Sequence, residues 1–383
     1  MPATPHPQLR WILASLLMLV SIINYLDRQT LSILAPTIQR DLNISTAQYA
    51  MVVQAFLAAY TVMHLAGGAF VDRVGPRVAE TAFVVWWSVA NMLTSLATGF
   101  YSLALCRMLL GLGEPGHYSA SSKAVAEGFP PKERAIAVGM YVMGGTLGAA
   151  IAAPLVSWLA LEHGWRMAFV VTGAIGLLPA MLWVWLYRSP AKAAGSGKPP
   201  TPWRKVLAFR PLWIVLLTRA ITDPVWLFYL FWFPKYLQES RGFTLADVGK
   251  TLWVVYVSAD IGSLLGGWLS GRLAARGVAP AKARLLTMAS AAAILGCSFL
   301  MPWLPGKAGA LTLASLSTCA VMIWMTNSVT LPLDIFGKEV IGSVQGIIGA
   351  GGSIGGFLSS GAVGYLVTHY SYTPAFTAMS LLH

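Results

Sequence analysis

The chain has 383 residues, of which 56% are hydrophobic and 10% are charged. Soluble domains carry about 25% charged residues, so this composition excludes an ordinary soluble enzyme. The 15 Trp, 15 Phe and 13 Tyr residues exclude a disordered chain. The formal net charge of +12 would suit nucleic-acid binding, but the positions of the basic residues, taken up below, point elsewhere. The remaining class is a multi-pass membrane protein, in agreement with the mean hydropathy of +0.66.

Apolar segments of membrane-spanning length follow one another along the sequence. One helical crossing needs about 20 residues, so the chain suits about eleven or twelve crossings. The predicted segments are 11–37, 47–71, 78–97, 101–128, 135–161, 165–187, 211–237, 244–271, 283–303, 308–333, 340–368 and 373 onward. The first is too long and too polar for a cleavable signal peptide. Residues 373–383 are too few to span a bilayer, so we expect an incomplete twelfth helix.

Basic residues are concentrated in every second loop. Sixteen Lys and Arg residues lie on the side of the N-terminus and six on the other side. Positively charged loops stay in the cytoplasm, so we predict a cytoplasmic N-terminus in an inner or plasma membrane. The basicity then reflects membrane topology, and we expect no nucleic-acid partner.

The sequence divides into two halves that repeat each other. Residues 188–210 are rich in Pro, Gly and Lys and predict a cytoplasmic linker between a bundle at 1–187 and a bundle at 211–383. GGAFVDR at 67–73 recurs as GGWLSGR at 266–272. Four glycines recur in register, namely Gly139, Gly144, Gly145 and Gly148 as Gly346, Gly351, Gly352 and Gly355. Close helix packing would explain any one of these glycines, but the repeat favours two pseudo-symmetric six-helix bundles, an all-α architecture known in secondary transporters.

Charged residues inside the predicted segments are candidates for function, because an ionised side chain there costs on the order of 3 kcal/mol. The cations are Arg28, Arg107, Lys123 and Arg219, and the acids are Asp27, Glu114, Asp223 and Asp260. Asp27 and Arg28 are adjacent and therefore point about 100° apart on a helix, whereas Arg107 and Glu114 share a face two turns apart. We predict that Asp27 pairs with Arg107 and that Arg28 pairs with Glu114.

These four residues suit the chemistry of anion and proton transport. A guanidinium binds a carboxylate through two parallel hydrogen bonds and stays charged at any working pH. A substrate anion that competes for the arginine removes the positive charge from beside the buried carboxylate, which is then easier to protonate. Binding of the anion is thereby coupled to binding of a proton. The alternative interpretation is a structural network of buried ion pairs.

Further polar and aromatic residues are candidates for sugar contacts, because aromatic faces pack on sugar C–H surfaces and Tyr hydroxyls both donate and accept hydrogen bonds. They are Tyr25, Tyr60, Trp226, Tyr229, Trp232, Thr222, Asp223 and Asn327. Core packing or contact with lipid is the alternative for the aromatic residues, and a hydrogen bond between helices is the alternative for Asn327. His64 and His117 are either proton relays or packing residues.

Two motifs carry a family resemblance that covers nearly the whole chain. Gly68-x-x-x-Asp72-Arg73-x-Gly75-x-Arg77 resembles the signature loop of the major facilitator superfamily, and GMYVMGGTLGAAIAAP at 139–154 resembles its glycine-rich fifth helix. Four narrower motifs resemble the anion:cation symporters: NYLDR at 24–28, CRMLLGLGEPG at 106–116, PPKERAIAVG at 130–139 and TDPVWLFYLFWFPKYL at 222–237. The last is similar to the hexuronate permeases, which take up glucuronate and galacturonate with protons.

The resemblance implies roles for particular residues. In related galactonate and glutamate carriers, the residues that match Arg28 and Arg107 bind the anion, and those that match Asp27 and Glu114 carry the proton. The resemblance also implies that Asp72, Arg73 and Arg77 form a charge-based cytoplasmic gate, whereas charges that only set topology are the alternative. Val142 and Ser119 depart from the hexuronate permeases, which have Asn and Pro there, and Gly271 stands where an Asp is expected in the second-half loop.

The predicted function is uptake of an organic anion, with a hexuronate as the leading substrate, in symport with at least one proton. The proton is the coupling ion, and we expect no cofactor, no metal and a monomer in the bilayer. A carrier of another carboxylate, a proton-driven exporter and a sugar-acid sensor are the alternatives. Arg28 and Arg107 argue against the exporter, and the short N-terminal tail argues against the sensor. We expect no enzymatic activity, because no nucleotide loop, metal-binding spacing or nucleophile triad is visible in the sequence.

Overall fold

The computed structural model describes residues 7–129, 131–187, 207–335 and 341–383. All regular structure in these ranges is helical, as the sequence predicts. Most of the linker predicted at 188–210, together with Pro130 and Lys338, lies outside the described residues. Within them, nine helices are long and apolar enough to cross a membrane.

The described chain divides into two compact units, Met1–Ile44 with Ala55–Pro199, and Ser45–Gln54 with Pro200–His383. The first unit holds α1 (Pro7–Asp41), most of α2 (Thr46–Leu93), α3 (Phe100–Gly113), α4 (Gly116–Gly128), α5 (Pro131–His163) and α6 (Trp165–Leu186). The second holds α7 (Arg210–Phe231), α8 (Phe233–Ser240), α9 (Leu245–Thr251), α10 (Trp253–Ala275), α11 (Pro280–Gly296), α12 (Gly306–Ile335), α13 (Ile341–His369) and α14 (Tyr372–Ser380), and 3₁₀ turns follow α2 and α11.

The start of α2 belongs to the second unit, which the sequence does not indicate. The Tyr49 hydroxyl donates to the carbonyl oxygen of Phe231 at 2.8 Å, and Gln54 donates to that of Phe357 at 3.2 Å. Residues 45–54 therefore pack with α7 and α13, although they precede most of the first unit in the chain.

The predicted segments 47–71 and 78–97 are joined in α2, whereas segment 101–128 is divided, and both differences occur at residues that favour a bend or a break. Gly75 bends α2 with a φ of 81°, a conformation open to glycine at little cost, and Pro76 follows it. Segment 101–128 is divided into α3 and α4 at Glu114 and Pro115, because proline has no N–H to continue the hydrogen-bond ladder. Segment 373 onward forms α14, a helix of nine residues.

The glycines repeated in the sequence occupy equivalent packing positions. A Cβ added to Gly148 would overlap the carbonyl oxygen of Ile22, and one added to Gly355 would overlap that of Ala220. Thus α5 approaches α1 as closely as α13 approaches α7, and both contacts require a residue without a side chain. The predicted repeat is therefore reproduced in the packing of each unit. These close contacts occupy one face of α1 and of α7 and leave the other faces of both helices available for polar residues.

Candidate functional site

A buried ion pair lies at the centre of the first unit. Nε and Nη2 of Arg28 on α1 both donate to Oε2 of Glu114, at 2.9 and 2.5 Å. Arg28 is 5% exposed and Glu114 is fully buried. Glu114 lies at the break between α3 and α4, and its carboxylate faces Arg28 on α1. The predicted Arg28–Glu114 pair is confirmed, and Oε1 of Glu114 lacks a hydrogen-bond partner within the described part of the chain.

Aromatic rings surround the Arg28 guanidinium. Its central carbon lies 4.5 Å from the ring centroid of Tyr25, 5.0 Å from that of Tyr60 and 5.4 Å from that of Phe56. These distances are typical of cation–π contacts, which hold the guanidinium in one place within a largely apolar setting. Tyr25 and Tyr60 thus belong to the Arg28 site as predicted candidates, whereas Phe56 gave no signal in the sequence beyond its hydrophobicity.

Asp27 has a different environment from its neighbour Arg28. Its Oδ1 accepts a hydrogen bond of 2.6 Å from Asn91, and the same Asn91 amide donates to Oγ1 of Thr172 at 2.8 Å. All three residues are fully buried. Sequence reasoning missed Asn91. The cost of a polar group inside an apolar segment, which singled out the charged residues, would also have singled out this amide in segment 78–97.

Arg107 completes the set of four charges. It is 2% exposed, and its guanidinium stacks over the ring of Phe169 at 5.1 Å. Its charge acts on both Asp27 and Glu114. The four predicted residues therefore come together within the first unit, while a direct pairing of Asp27 with Arg107 stays a prediction.

The two predicted histidines differ in their surroundings. The ring of His64 packs 4.8 Å from that of Tyr60. His117 is fully buried, with one ring nitrogen 2.5 Å from Glu80 and the other 2.7 Å from Ser21. Glu80 was not among the acids singled out from the sequence, although it lies inside predicted segment 78–97.

The candidates of the second unit cluster along α7. Nε of Arg219 donates to both carboxylate oxygens of Asp223, at 2.6 and 2.8 Å, one turn away on the same helix. The neighbouring Thr222 hydroxyl accepts from the Trp324 indole at 3.3 Å. Asp223 abuts Gly352, at the position equivalent to Tyr25 and Gly145 in the first unit.

The remaining candidates of the second unit make contacts typical of helix packing. Trp226 packs edge-on against Tyr256 with ring centroids 6.4 Å apart, and Tyr229 is 1% exposed. Trp232, 2% exposed, packs edge-on against Tyr49. The Asn327 amide donates to the carbonyl of Gly266 at 3.1 Å, which links α12 to α10. A role of these residues in binding stays a prediction.

The predicted gate residues lie at the bend of α2. Arg73 and Arg77 are exposed, and Arg77 donates to the carbonyl oxygen of Val184 at the end of α6, at 2.5 Å. The side chain of Asp72 lies outside the described part of the structure. The gating role of all three stays a prediction.

Comparisons with known proteins agree with this architecture. The sequence matches the Major Facilitator Superfamily over residues 17–382. It is 30% identical to the hexuronate transporter of Escherichia coli strain K12 over 97% of this chain and 91% of that protein. It is 32% identical to the galacturonate transporter of Dickeya chrysanthemi over 68% of this chain and 81% of that protein.

A solved structure extends the agreement to three dimensions. The inward-facing structure of a bacterial homolog of the human lysosomal transporter Spinster superposes with a TM-score of 0.75, at 22% identity, over 99% of this chain and 89% of that one. This likeness concerns the fold. With the match to the family over nearly the whole sequence, it shows that the chain belongs to the Major Facilitator Superfamily and is a membrane transporter, not an enzyme.

Proposed function

We propose that the protein takes up an organic anion together with at least one proton, and that a hexuronate or a related sugar acid is the leading substrate. The buried Arg28–Glu114 pair is the observation that supports the proposal most strongly. A carboxylate substrate and the Glu114 carboxylate are chemically alike, so they compete for the same guanidinium. Relatives named for hexuronate, galacturonate and D-galactonate transport carry acids of this class.

Competition for Arg28 couples the substrate to the proton. When a substrate carboxylate takes the place of Glu114 on the guanidinium, Glu114 is left as a buried anion without its main partner. A buried carboxylate that loses its cation costs several kcal/mol as an anion, and protonation removes that cost. Anion and proton then enter the occupied site together. We assign the anion to Arg28 and Arg107 and the proton to Glu114 and Asp27.

The remaining parts of the proposal concern transport as a whole. Alternating access of the two halves would carry the occupied site across an inner or plasma membrane. Asp72, Arg73 and Arg77 would gate the side that carries the N-terminus, which we assign to the cytoplasm. We expect the proton to be the coupling ion of a monomeric carrier without a cofactor.

A smaller carboxylate is the second candidate substrate. The probable sulfoacetate transporter of Cupriavidus necator is 30% identical over 94% of this chain and 87% of that protein. Sulfoacetate and a sugar acid share a carboxylate but differ in the remainder of the molecule. The Arg28 site alone therefore suits both, and contacts beyond it must discriminate between them.

Uptake into proteoliposomes tests the proposal. Purified full-chain protein is reconstituted, and labelled glucuronate, galactonate and sulfoacetate are added with and without an inward proton gradient. We expect sugar-acid uptake that follows the gradient and is lost in Arg107→Ala. Arg166→Ala is the matched control, because Arg166 forms an exposed ion pair with Asp41. No uptake of either sugar acid by folded protein would overturn the sugar-acid assignment, and uptake indifferent to the gradient would overturn symport.

A further inference from the structure

The first unit contains a second buried pair of titratable side chains outside the Arg28 site. Oε1 of Glu80 on α2 lies 2.5 Å from Nδ1 of His117 on α4, and both side chains are fully buried. An ionised carboxylate only accepts hydrogen bonds, so with Glu80 ionised the proton of this hydrogen bond belongs to Nδ1 of His117. The other ring nitrogen, Nε2, lies 2.7 Å from the Ser21 hydroxyl on α1, which then donates to it. The imidazole thus has a hydrogen-bonded neighbour at each nitrogen.

Packing alone is a weak explanation for this pair. Removing a carboxylate and an imidazole from water is costly, and apolar residues of similar volume often stabilise a core as well or better. Oε2 of Glu80 also lacks a hydrogen-bond partner within the described residues. A buried carboxylate ordinarily uses both oxygens, so Oε2 of Glu80 has room to accept a proton.

The pair is connected to the Arg28 site through α4. His117 follows Glu114 by three residues across the break at Pro115, and its backbone N–H donates to the carbonyl oxygen of Glu114 at 3.4 Å. Glu80 lies five residues after the bend at Gly75, about 7.5 Å along α2. Exposed Arg73 and Arg77 flank that bend. Glu114, His117 and Glu80 therefore form a series from the buried ion pair towards an exposed end of the first unit.

Few other groups bear on the charge of His117. The rings of Tyr118 on α4 and Tyr141 on α5 lie 5.4 and 6.2 Å from its ring, and phenols keep their protons near neutral pH. Trp87 on α2 packs edge-on at 6.0 Å and Ser121 approaches Nδ1 at 3.2 Å, and neither titrates.

The nearby cations have partners of their own. Arg28 on α1 is engaged by Glu114, and Lys123 further along α4 donates to the carbonyl oxygen of Val71 at 3.3 Å. Glu80 and Glu114 are thus the acids that can exchange a proton with the ring.

We propose that His117 and Glu80 relay the proton between Glu114 and the end of the first unit that carries the Gly75 bend. This proposal rests on the proposed function, since it describes how the coupled proton leaves. Protonated Glu114 gives up its proton and becomes a carboxylate, and the imidazole takes a proton at Nε2 on the side of Ser21. The ring gives its Nδ1 proton to Glu80, which loses it to water when alternating access opens the buried pair. A 180° turn of the imidazole then brings an N–H back towards Glu80, so one proton enters and one leaves in each cycle.

Two assays on Glu80→Gln and His117→Gln separate a relay from a structural pair. Net uptake driven by a proton gradient requires the proton to be released in each cycle. Exchange of internal for external substrate without a gradient (counterflow) lets the carrier keep its proton. We expect gradient-driven uptake to fall by about 100-fold, a typical contribution of one positioned proton-transfer group, and counterflow to stay near the wild-type rate. Glu80→Asp keeps a carboxylate and should recover part of the uptake.

Glu127→Gln is the matched control, because Glu127 lies on the same helix and accepts a hydrogen bond from Tyr187 outside the series. Gradient-driven uptake that persists in both Gln variants would overturn the relay. So would a parallel loss of uptake, counterflow and thermal stability, which is the result expected of a purely structural pair. Wild-type protein that shows counterflow but no gradient-driven uptake would instead overturn symport, and the relay with it.

Discussion

At the scale of single residues, Arg28 is the position where the geometry of the side chain matters most. Its guanidinium contacts Glu114 through two nitrogens while Tyr25, Tyr60 and Phe56 enclose it. Lysine has the same charge, but it lacks the planar fork and stacks less well on aromatic rings. A positive charge without a guanidinium is therefore not expected to preserve anion binding at this site.

We predict that Arg28→Lys weakens substrate binding by about 10- to 100-fold, which corresponds to about 1.4–2.8 kcal/mol. The physical reason is the loss of one of two parallel hydrogen bonds to the carboxylate. Equilibrium binding of labelled galacturonate to detergent-solubilised protein measures it. Arg166→Lys, at the exposed pair with Asp41, should bind as the wild type does. Unchanged affinity in Arg28→Lys would place the anion elsewhere.

Asn91 is the second residue whose side-chain chemistry matters, because a hydrogen-bond donor is required there for the buried Asp27 carboxylate. Asn91→Ala leaves that oxygen without its donor, and an unsatisfied buried polar group costs about 1–3 kcal/mol. We expect a lower unfolding temperature in detergent. Ser258→Ala removes a half-buried hydroxyl that donates within its own helix, to the carbonyl oxygen of Val254, and should leave this temperature nearly unchanged. An unshifted Asn91→Ala would mean that Asp27 is neutral or otherwise solvated in the folded protein.

At the scale of helices, the close approach of α5 to α1 and of α13 to α7 organises each unit around its polar residues. Gly148 and Gly355 stand at equivalent points of these contacts, against the carbonyl oxygens of Ile22 and Ala220. Backbone carbonyls cannot move aside as the end of a flexible side chain can. The contact therefore depends on the absence of a Cβ.

We predict that Gly148→Ala and Gly355→Ala each destabilise the protein by about 1–3 kcal/mol, the usual cost of overpacking. Gly139 and Gly346 are the repeat-related controls, because an added Cβ meets nothing within 4 Å there. Alanine at these positions should be neutral or raise stability by up to about 1 kcal/mol, since it favours helix more than glycine does. Thermal unfolding of the four variants measures the difference, and equal effects at all four positions would contradict the packing argument.

At the scale of the whole molecule, the distribution of charge predicts the orientation in the membrane. The excess of basic residues on the side of the N-terminus predicts that this side faces the cytoplasm. Single cysteines in a background with Cys106, Cys297 and Cys319 replaced by alanine can test it. We expect an impermeant maleimide to label Ser371→Cys in intact cells and to label Arg276→Cys only after lysis, both positions being exposed. The reverse pattern would contradict the cytoplasmic N-terminus.

The sequence by itself determined the class of protein and the repeat, and it predicted the Arg28–Glu114 pair. Charges in apolar helices are visible because each costs several kcal/mol in a bilayer, and helical spacing tells which of them share a face. The repeat is visible because carbonyl contacts such as those of Gly148 and Gly355 admit no other residue.

Only the tertiary structure decided the other contacts between side chains of different helices. Asn91 lies 64 residues from Asp27 in sequence, and His117 lies 37 residues from Glu80 and 96 from Ser21. Periodicity shows the face on which a residue lies, but the rotation and tilt of each helix depend on the packing of all its neighbours. The hydrogen bond from Asn91 to Asp27 and the contact between Glu80 and His117 are therefore visible only in the folded chain. Helix packing brings these partners together, and their spacing along the sequence does not predict it.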